Sequence, residues 1–480
     1  SNDGGAYQSA LWSQFAKLEY GYAGKYLLNA SIRRDGSSVF AEDVRYGYFP
    51  SVSGAWRISQ ENFMKGVSFI NDLKLRASWG KLGTAGNVPA TNPYNLYSTR
   101  LGRSAYDISG SSFSPYAGFF RSNVGNPSTT WEGDVITNFG IDASILKNKV
   151  DFTIEWYKKK VSGLLYGAQG PQWASLYTGD ANLPQVNIAD NQNTGLDLSA
   201  TYHANITKDL KLDVTGIFTS YNNQIVDIPG SGYFDGPGIR NVTIQRNQEG
   251  HPLGAFFGYE VIGLFQSADD VAKSPTQNGA KAGLFKYKDV DNNGKIDAND
   301  RTFLGTPHPD FTYGLNLSLS YKAVDFSAFF FGSKGNDIYN QTLYYTDFPD
   351  FFKGGIRREV AVNSWTPERS SSTIPAVMNT GSFSSDQATN SYFISKGSYF
   401  RCKQMQIGYN VSSSFLSRFG IEHLRIYAQG ANLFTITKYQ GLDPELQSTD
   451  PRSASATNFG IDQGNYPHTP SYLFGVNLNF

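Results

Sequence analysis

Ser471-Tyr-Leu-Phe-Gly-Val-Asn-Leu-Asn-Phe480 closes the chain with Tyr472, Phe474, Val476, Leu478 and Phe480 at every second position. Alternate side chains of a strand point to opposite faces, so these five share one face and Gly475, Asn477 and Asn479 the other. Two environments suit such a ribbon. In a transmembrane barrel the apolar stripe meets lipid and the polar face a wet interior; in a soluble sandwich the stripe lies on a protein core. The rest of the chain has to choose between them.

Composition leans toward the barrel. The 480 residues include 30 Tyr, 34 Phe, 7 Trp and 49 Gly, which favours β structure rich in turns and aromatic belts. One cysteine, Cys402, excludes an intramolecular disulfide framework and leaves the redox compartment open. Lys plus Arg and Asp plus Glu both number 41, so no basic excess points to nucleic acid as a partner. No run approaches the roughly 18 apolar residues of a spanning helix. Barrel strands alternate, however, so a negative mean hydropathy is compatible with a membrane. The opening Ser1-Asn-Asp-Gly-Gly5 is not a signal peptide; export would require a start upstream of it.

Alternation predicts thirteen strands, near residues 10–22, 24–35, 46–59, 72–82, 135–146, 149–162, 193–204, 210–222, 310–321, 324–333, 398–410, 422–432 and 470–480. In the second, Tyr26, Leu28, Ala30 and Ile32 oppose Asn29, Ser31 and Arg33; in the fourth, Leu73, Leu75, Ala77 and Trp79 oppose Lys74, Arg76 and Ser78. A one-residue slip would turn Arg33, Arg57 or Arg76 toward lipid at roughly 2–4 kcal/mol each near the midplane, so register is well specified.

Short links (23–25, 147–148, 205–209, 322–323) alternate with long ones (about 83–134, 163–192, 223–309, 334–397 and 433–469), and 60–71 and 411–421 are intermediate. Compact soluble domains rarely carry unstructured loops beyond roughly 15 residues, whereas transmembrane barrels have short periplasmic turns on one rim and long loops on the other. Tyr22, Tyr26, Tyr202, Tyr321, Tyr409 and Phe480 sit beside the short-turn rim, where amphipathic rings suit a membrane interface. Single-chain bacterial barrels have an even strand number. An odd thirteen, whose first and last strands run the same way, leads to the expectation that further strands and a lumen-filling segment lie upstream.

One stretch has the spacing of a chemical site: Asp289-Val-Asp291-Asn-Asn293-Gly-Lys295-Ile-Asp297-Ala-Asn-Asp300. It fits a twelve-residue Ca²⁺ loop, with side-chain oxygens of Asp289, Asp291, Asn293, Asp297 and Asp300 at positions 1, 3, 5, 9 and 12, the Lys295 carbonyl at 7 and Gly294 at the sharp turn. Asp300 stands where Glu is usual, and its shorter arm favours weaker coordination. The flanks Leu284–Tyr287 and Arg301–Leu304 read as extended, so the loop is expected without the paired helices of an EF-hand and with a structural role. An ordinary Asp/Asn/Gly surface turn is the alternative. Catalysis is not indicated: His203, His251, His308, His423 and His468 are dispersed, and no nucleophile elbow or phosphate loop occurs. Gly230 to Gly238 has no Lys or following helix and reads as a loop. The inward charges Arg33, Arg57, Arg76, Asp151, Glu155, Asp197 and Asp213 are mixed in sign, as in a solvated wall.

Several blocks together resemble the SusC/RagA group of TonB-dependent outer-membrane transporters: Tyr26-Leu-Leu-Asn-Ala-Ser-Ile-Arg-Arg-Asp-Gly-Ser-Ser38, Arg45-Tyr-Gly-Tyr-Phe-Pro-Ser51, Leu73-Lys-Leu-Arg-Ala-Ser-Trp-Gly80, Gly125-Asn-Pro127 with Trp131-Glu132, and Pro252-Leu-Gly-Ala-Phe-Phe-Gly-Tyr259 with Gly263-Leu-Phe-Gln266. The carboxylate loop, Gly335-Asn-Asp-Ile-Tyr339, Gln429-Gly-Ala-Asn-Leu-Phe434 and Asp443-Pro444 continue the series in order along almost the whole chain. The resemblance implies an all-β transmembrane barrel of 22 strands, of which residues 1–480 would supply the last thirteen, with the plug outside this chain. It further implies a Gram-negative outer-membrane location, a SusD-like surface lipoprotein over the mouth, TonB-driven import of a glycan or oligopeptide, and contact with outer-membrane lipid.

The long loops carry many rings: Tyr94, Tyr97, Tyr106, Phe113, Tyr116, Phe119 and Phe120 in one, Trp173 and Tyr177 in another, Tyr233 and Phe234 in a third, and Tyr344, Tyr345, Phe348, Phe351 and Phe352 in a fourth. Loop packing and a partner interface are favoured over cargo stacking for these rings. A passive porin or structural surface barrel would share the strands and turns, and a soluble multi-sheet calcium-binding domain would instead need no detergent.

Overall fold

The computed structural model describes residues 8–85, 88–108, 110, 116–167, 179, 181–230, 232–236, 238–239, 242–348, 355–378, 385–412, 416, 420–446 and 459–479. All thirteen expected strands are present: β1 (Leu11–Tyr22), β2 (Tyr26–Ser37), β3 (Tyr46–Arg57), β4 (Ile70–Thr84), β5 (Glu132–Ile145), β6 (Val150–Gly167), β7 (Gln185–Asn205), β8 (Leu210–Asp227), β9 (Phe311–Tyr321), β10 (Val324–Lys334), β11 (Tyr399–Asn410), β12 (His423–Thr437) and β13 (Ser471–Asn479). Each pairs antiparallel with its neighbours in chain order, giving one thirteen-stranded sheet with β1 and β13 at its edges.

The pairing carries the alternation from strand to strand. Leu28 faces Gly54 and Ala30 faces Val52; Val52 in turn faces Trp79. Phe139 is opposite Ala77 on one side and Trp156 on the other, and Leu317 is opposite Val214 and Ala328. The stripes therefore join into one continuous apolar face. Leu18, Ile32, Phe139, Ile407, Ile426, Phe474 and Val476 on that face are all exposed, so no second protein layer covers them. A soluble sandwich would bury these side chains, each worth about 1.5–3 kcal/mol. Lipid does so for a barrel wall: apolar outside, polar inside. Among the described residues no helix is long and apolar enough to cross a membrane.

Tight turns and ring contacts fix the geometry. Between β1 and β2, Ala23 (φ 54°) and Gly24 (φ 66°) both adopt the left-handed conformation a twisted two-strand turn requires, closed by Lys25 N donating to Tyr22 O at 2.9 Å. Tyr22 and Tyr26 stack at this rim, 6.5 Å between centroids. Glu61, in the next turn on the same rim, accepts from Lys25 Nζ (2.8 Å), Tyr26 Oη (2.7 Å) and Trp56 Nε1 (3.2 Å), which holds its carboxyl down to about 2. Within the wall, rings lie over glycines of the next strand. A Cβ added to Gly475 would stand 2.3 Å from the Tyr427 ring, and one on Gly195 would stand 2.6 Å from Tyr157.

Sequence and structure differ at the upper ends of the strands. Alternation ends β6 at 162, begins β7 at 193 and ends β8 at 222, yet pairing continues to Gly167, from Gln185 and to Asp227. Up there the strands stand between loops and water rather than between lipid and lumen, so no period-2 contrast marks them. Asn223, for instance, donates to Asn191 and Asn193 (3.2 and 2.7 Å) across two strands.

The long connections are not unstructured. Residues from 228–310, 335–398 and 438–470 share one apolar core, which includes Ile244, Phe256, Phe285, Tyr339, Tyr344, Trp365, Phe393 and Ile461. A three-stranded ribbon of Asp337–Asn340, Ile394–Lys396 and Ile461–Asp462 ties two of the connections together. Gln245 Nε2 donates to Phe459 O (2.7 Å) and Trp365 Nε1 to Gln266 Oε1 (3.0 Å). The cap rests on inward-facing upper wall residues: Leu253 N donates to Asn223 Oδ1 (2.7 Å), and Tyr221 Oη lies 3.2 Å from His308 Nδ1.

Candidate functional site

Three features bear on function: the inner wall, the capped mouth and the carboxylate loop. On the inner wall, strand alternation turns every second residue toward the lumen, and the register sets opposite charges beside one another. Arg57 meets Asp72 (3.4 Å), Lys74 meets Asp142 (2.8 Å), and Arg76 bridges Asp142 (3.3 Å) and Glu155, while Arg33 meets Asp35 two residues on in its own strand (2.6 Å). Lys159 meets Asp134 (2.9 Å), and Arg425 reaches Asp325 through Nε at 3.0 Å. His203 stands between Asp213 (2.6 Å) and Asp151 (3.0 Å), so both ring nitrogens face carboxylates. The inward charges expected from the sequence are thus mostly paired across strands. Asp197 differs, since its Oδ1 is buried without a hydrogen-bond partner. A wall built this way is polar and hydrated but close to neutral.

At the mouth, the aromatic loop residues divide. Phe234, Tyr344 and Phe348 are buried in the cap or beside it, and Arg103 lies over Phe120 at 4.6 Å. Tyr94, Tyr97, Tyr106, Tyr116 and Phe119 stand exposed on the β4–β5 connection, where Leu96–Ser98 pairs with Phe120–Asn123 and Ala105–Tyr106 with Tyr116–Ala117. Tyr233 and Tyr345 are also partly open. Phe113, Trp173, Tyr177, Phe351, Phe352 and Phe480 lie outside the described residues.

Two buried groups here have no signature in the sequence. Arg401, at the top of β11, is 2 % exposed and donates to Thr435 Oγ1 (2.7 Å), Glu445 (2.6 Å) and Asp443 (2.6 Å). Asp386 is fully buried in the cap; Oδ1 accepts from Phe285 N at 3.0 Å while Oδ2 has no partner. Burial pushes its carboxyl up to about 7, against the weaker pull of that one amide. An Arg–Asp pair 42 residues apart, or a lone Asp between loops, follows no period that sequence reading could detect.

In the carboxylate loop three of the four expected carboxylates come together, with one exception. Carboxylate oxygens of Asp289, Asp291 and Asp300 lie within 4.8 Å of one another, Asp300 fully buried. The chain curls tightly here: Asn292 and Gly294 have φ of 59° and 81°, and Asp289 accepts from Asn293 N (3.2 Å) and Gly294 N (2.9 Å). Asn293 Nδ2 donates to Asp291 at 2.9 Å, and Asn293 Oδ1 accepts from Lys295 N at 2.8 Å. Lys295–Ile296 pairs in parallel with Thr276–Gln277. Asp297 is the exception, since it caps the 3₁₀ turn Ala298–Asp300, accepting from Asn299 N at 2.8 Å, and stands outside the three-carboxylate group. The flanks, Phe285–Tyr287 and Arg301–Gly305, are extended strands as expected. Among the described residues none of the three grouped carboxylates has a Lys or Arg at ion-pair distance.

Comparison with known proteins places the whole chain. It is 32 % identical over 485 residues to TonB-dependent receptor P3 of Formosa agariphila, covering 98 % of this chain and 46 % of that protein. It is 29 % identical over 486 residues to TonB-dependent receptor SusC of Bacteroides thetaiotaomicron, covering 99 % of this chain and 44 % of that one. The structure of the RagAB peptide transporter superposes with a TM-score of 0.80 at 22 % identity, over 98 % of this chain and 47 % of the other. No protein-family model matches. The chain spans about half the length of the relatives it matches, and the superposition shows that it shares the fold of about half of that transporter structure.

Proposed function

Because the chain belongs to the SusC/RagA family of TonB-dependent receptors, we propose that it forms wall and extracellular mouth of an outer-membrane importer of large nutrients, a glycan or an oligopeptide. The observation that carries this reading is the apolar stripe running across the thirteen-stranded sheet and exposed at Leu18, Ile32, Phe139, Ile407, Ile426 and Phe474, backed by an inner wall of paired charges and a folded cap. Open sheet edges are not tolerated in hydrocarbon, so β1 and β13 call for further strands to complete the barrel. A closed barrel of that width needs a plug, which TonB would have to move, and a SusD-like lipoprotein would cover the mouth. Relatives named TonB-dependent receptors, and a structural neighbour that transports peptides, support this assignment.

The test is genetic and electrical. Deleting the gene should abolish growth on one class of polymeric or peptide nutrient, and disabling TonB should have the same effect. The purified protein should show no steady open conductance in a planar bilayer. Growth that survives TonB loss together with a large constant conductance would make it a porin instead.

We also propose that the 289–300 loop holds a structural Ca²⁺ through Asp289, Asp291 and Asp300, with Asn293, the Lys295 carbonyl and Asp297 completing the oxygen set directly or through water. The ion would neutralise the grouped carboxylates and stiffen the connection between Tyr287 and Arg301.

A further inference from the structure

On the inner wall nearly every charge has a partner; on the outward face a row of cations does not. Arg34 follows Tyr26, Leu28, Ala30 and Ile32 on the outward side of β2. Its guanidinium lies over Tyr46 (4.2 Å), near Trp12 (5.6 Å) and Tyr48 (5.8 Å), and its Nε is buried without a hydrogen-bond partner. Lys81 continues the outward series Leu75, Ala77, Trp79 on β4, and Lys158 and Lys160 continue Phe152, Ile154, Trp156 on β6. Register places Lys81 and Lys160 in one row, both opposite Val135 of the intervening β5, with Trp79 and Lys158 in the row beneath, both opposite Thr137. Among the described residues, only Lys160 of these cations has a carboxylate partner, Asp190 at 2.9 Å. Across β7 to β13 the described outward upper face offers Lys334 and, one residue past the end of β12, Lys438, so four of the six outward upper cations fall on β2–β6.

Height decides what this row meets. Tyr26 to Arg34 and Val150 to Lys158 are each eight residues, and Val150 to Lys160 is ten. At about 3.3 Å per residue and a tilt of roughly 40°, that is about 20–25 Å above the lower aromatic rim, near the full height of a barrel's apolar band. The cations therefore stand at the external membrane boundary, Lys158 level with Trp79 and Lys81 and Lys160 one row above, where the occupant must be anionic and must belong to the outer leaflet. Generic snorkelling of long side chains would scatter cations round the rim. It would not hold an arginine among three rings with its Nε unpartnered, as Arg34 is held.

We propose that the outward face of β2–β6 is a binding site for a phosphorylated glycolipid of the outer leaflet, with Lys81, Lys158 and Lys160 converging on one phosphate and Arg34 on a neighbouring one. The Tyr46, Tyr48 and Trp12 rings flank its sugar and upper acyl segments. This rests on the membrane-spanning reading given above.

The test titrates the protein, purified in zwitterionic detergent, with a diphosphorylated acylated glucosamine disaccharide and with its dephosphorylated form. Binding is followed by native mass spectrometry. The triple variant Arg34→Gln, Lys81→Gln, Lys158→Gln should bind the phosphorylated lipid about tenfold more weakly than wild type, with no difference for the dephosphorylated one. Folding of the variant is checked by its heat-dependent gel migration. Equal binding by folded wild type and variant overturns the site, as does a concentration-dependent crosslink joining two copies through Lys81 or Lys158. Failure of the spanning reading itself would show separately, as recovery of the protein without detergent.

Discussion

Arg401 and Asp443 form a buried ion pair, Nη2 to Oδ1 at 2.6 Å, that fastens the connection after β12 to the top of β11. Asp443 in turn accepts from His468 N and faces His468 Nδ1, each at 2.9 Å, so the far part of the same connection hangs on this carboxylate. Burial pushes the Asp443 carboxyl up, but the amides of Glu445 and His468 and the guanidinium outweigh it and hold it below the usual range.

Removing one partner of such a pair leaves the other buried and unpaired. Arg401→Leu is expected to destabilise by about 3–5 kcal/mol, measured as lost resistance to denaturant. Arg401→Lys should rescue little, because a single ammonium cannot reach Thr435, Glu445 and Asp443 together as the planar fork does. The depressed Asp443 value adds a sign. Its contribution is full above the unfolded aspartate value of about 3.9 and fades as pH falls through the lower folded value.

Asp386 titrates the other way. Its folded value, about 7, lies above the unfolded one, so the native cap binds a proton that the unfolded chain has released. Stability is therefore greatest below the ordinary aspartate range, falls as pH rises toward 7, and levels off above it. Asp386→Asn should stabilise the cap at pH 8 by of the order of 2–4 kcal/mol and change little at pH 4. Hydrogen exchange of the Phe285 amide reads this locally. Equal protection at both pH values in wild type would contradict it.

The carboxylate loop supplies a third expectation. Saturating Ca²⁺ should raise the melting temperature, by linkage worth about 2.7 kcal/mol at one hundred times Kd. Asp289→Ala should abolish the response. Asp297→Ala should keep most of it while costing about 1 kcal/mol from the lost cap, because Asp297 bonds the 3₁₀ turn rather than joining the three-carboxylate group. A melting curve indifferent to chelator would dismiss the ion.

A ring-on-glycine joint can be tested in the wall. Tyr427 occupies the space a side chain on Gly475 would need. Gly475→Ala should cost about 1–3 kcal/mol by overpacking, and Gly475→Ala with Tyr427→Ala together should cost less than the two single losses summed. Additive losses would mean the ring and the glycine do not share space.

What could be read from the residues followed the physics of each region. All thirteen strands announce themselves because lipid on one side and water on the other impose a two-residue period, as in Tyr26, Leu28, Ala30 and Ile32 against Asn29, Ser31 and Arg33. Above the membrane that contrast disappears, and the upper ends of β6, β7 and β8 went with it. The cap core was invisible for another reason: Phe285, Tyr339, Phe393 and Ile461 come from three connections and meet without any shared period. The carboxylate loop was legible because its oxygen-bearing side chains are local in sequence, and Asp297 departs from the pattern because the Asn299 amide takes its oxygen. Arg34 could have been found by parity alone, since placing Arg33 inward turns its neighbour outward.

The sharpest check on the wall compares two adjacent residues of β9. Leu317 sits mid-strand on the outward stripe, opposite Val214 and Ala328, while Ser318 sits on the inward face, opposite Asp213 and Ser327. Leu317→Arg should cost about 2–4 kcal/mol in a membrane-folded barrel, because a guanidinium near the midplane loses its hydration. Ser318→Arg, beside Asp213, should cost almost nothing and can gain a partner. Both variants are refolded into lipid vesicles and unfolded by guanidinium, followed by tryptophan fluorescence. If the two differ by less than about 0.5 kcal/mol, within the ordinary scatter of surface substitutions, the outward face does not meet hydrocarbon, and the assignment of inside and outside along every strand falls with it.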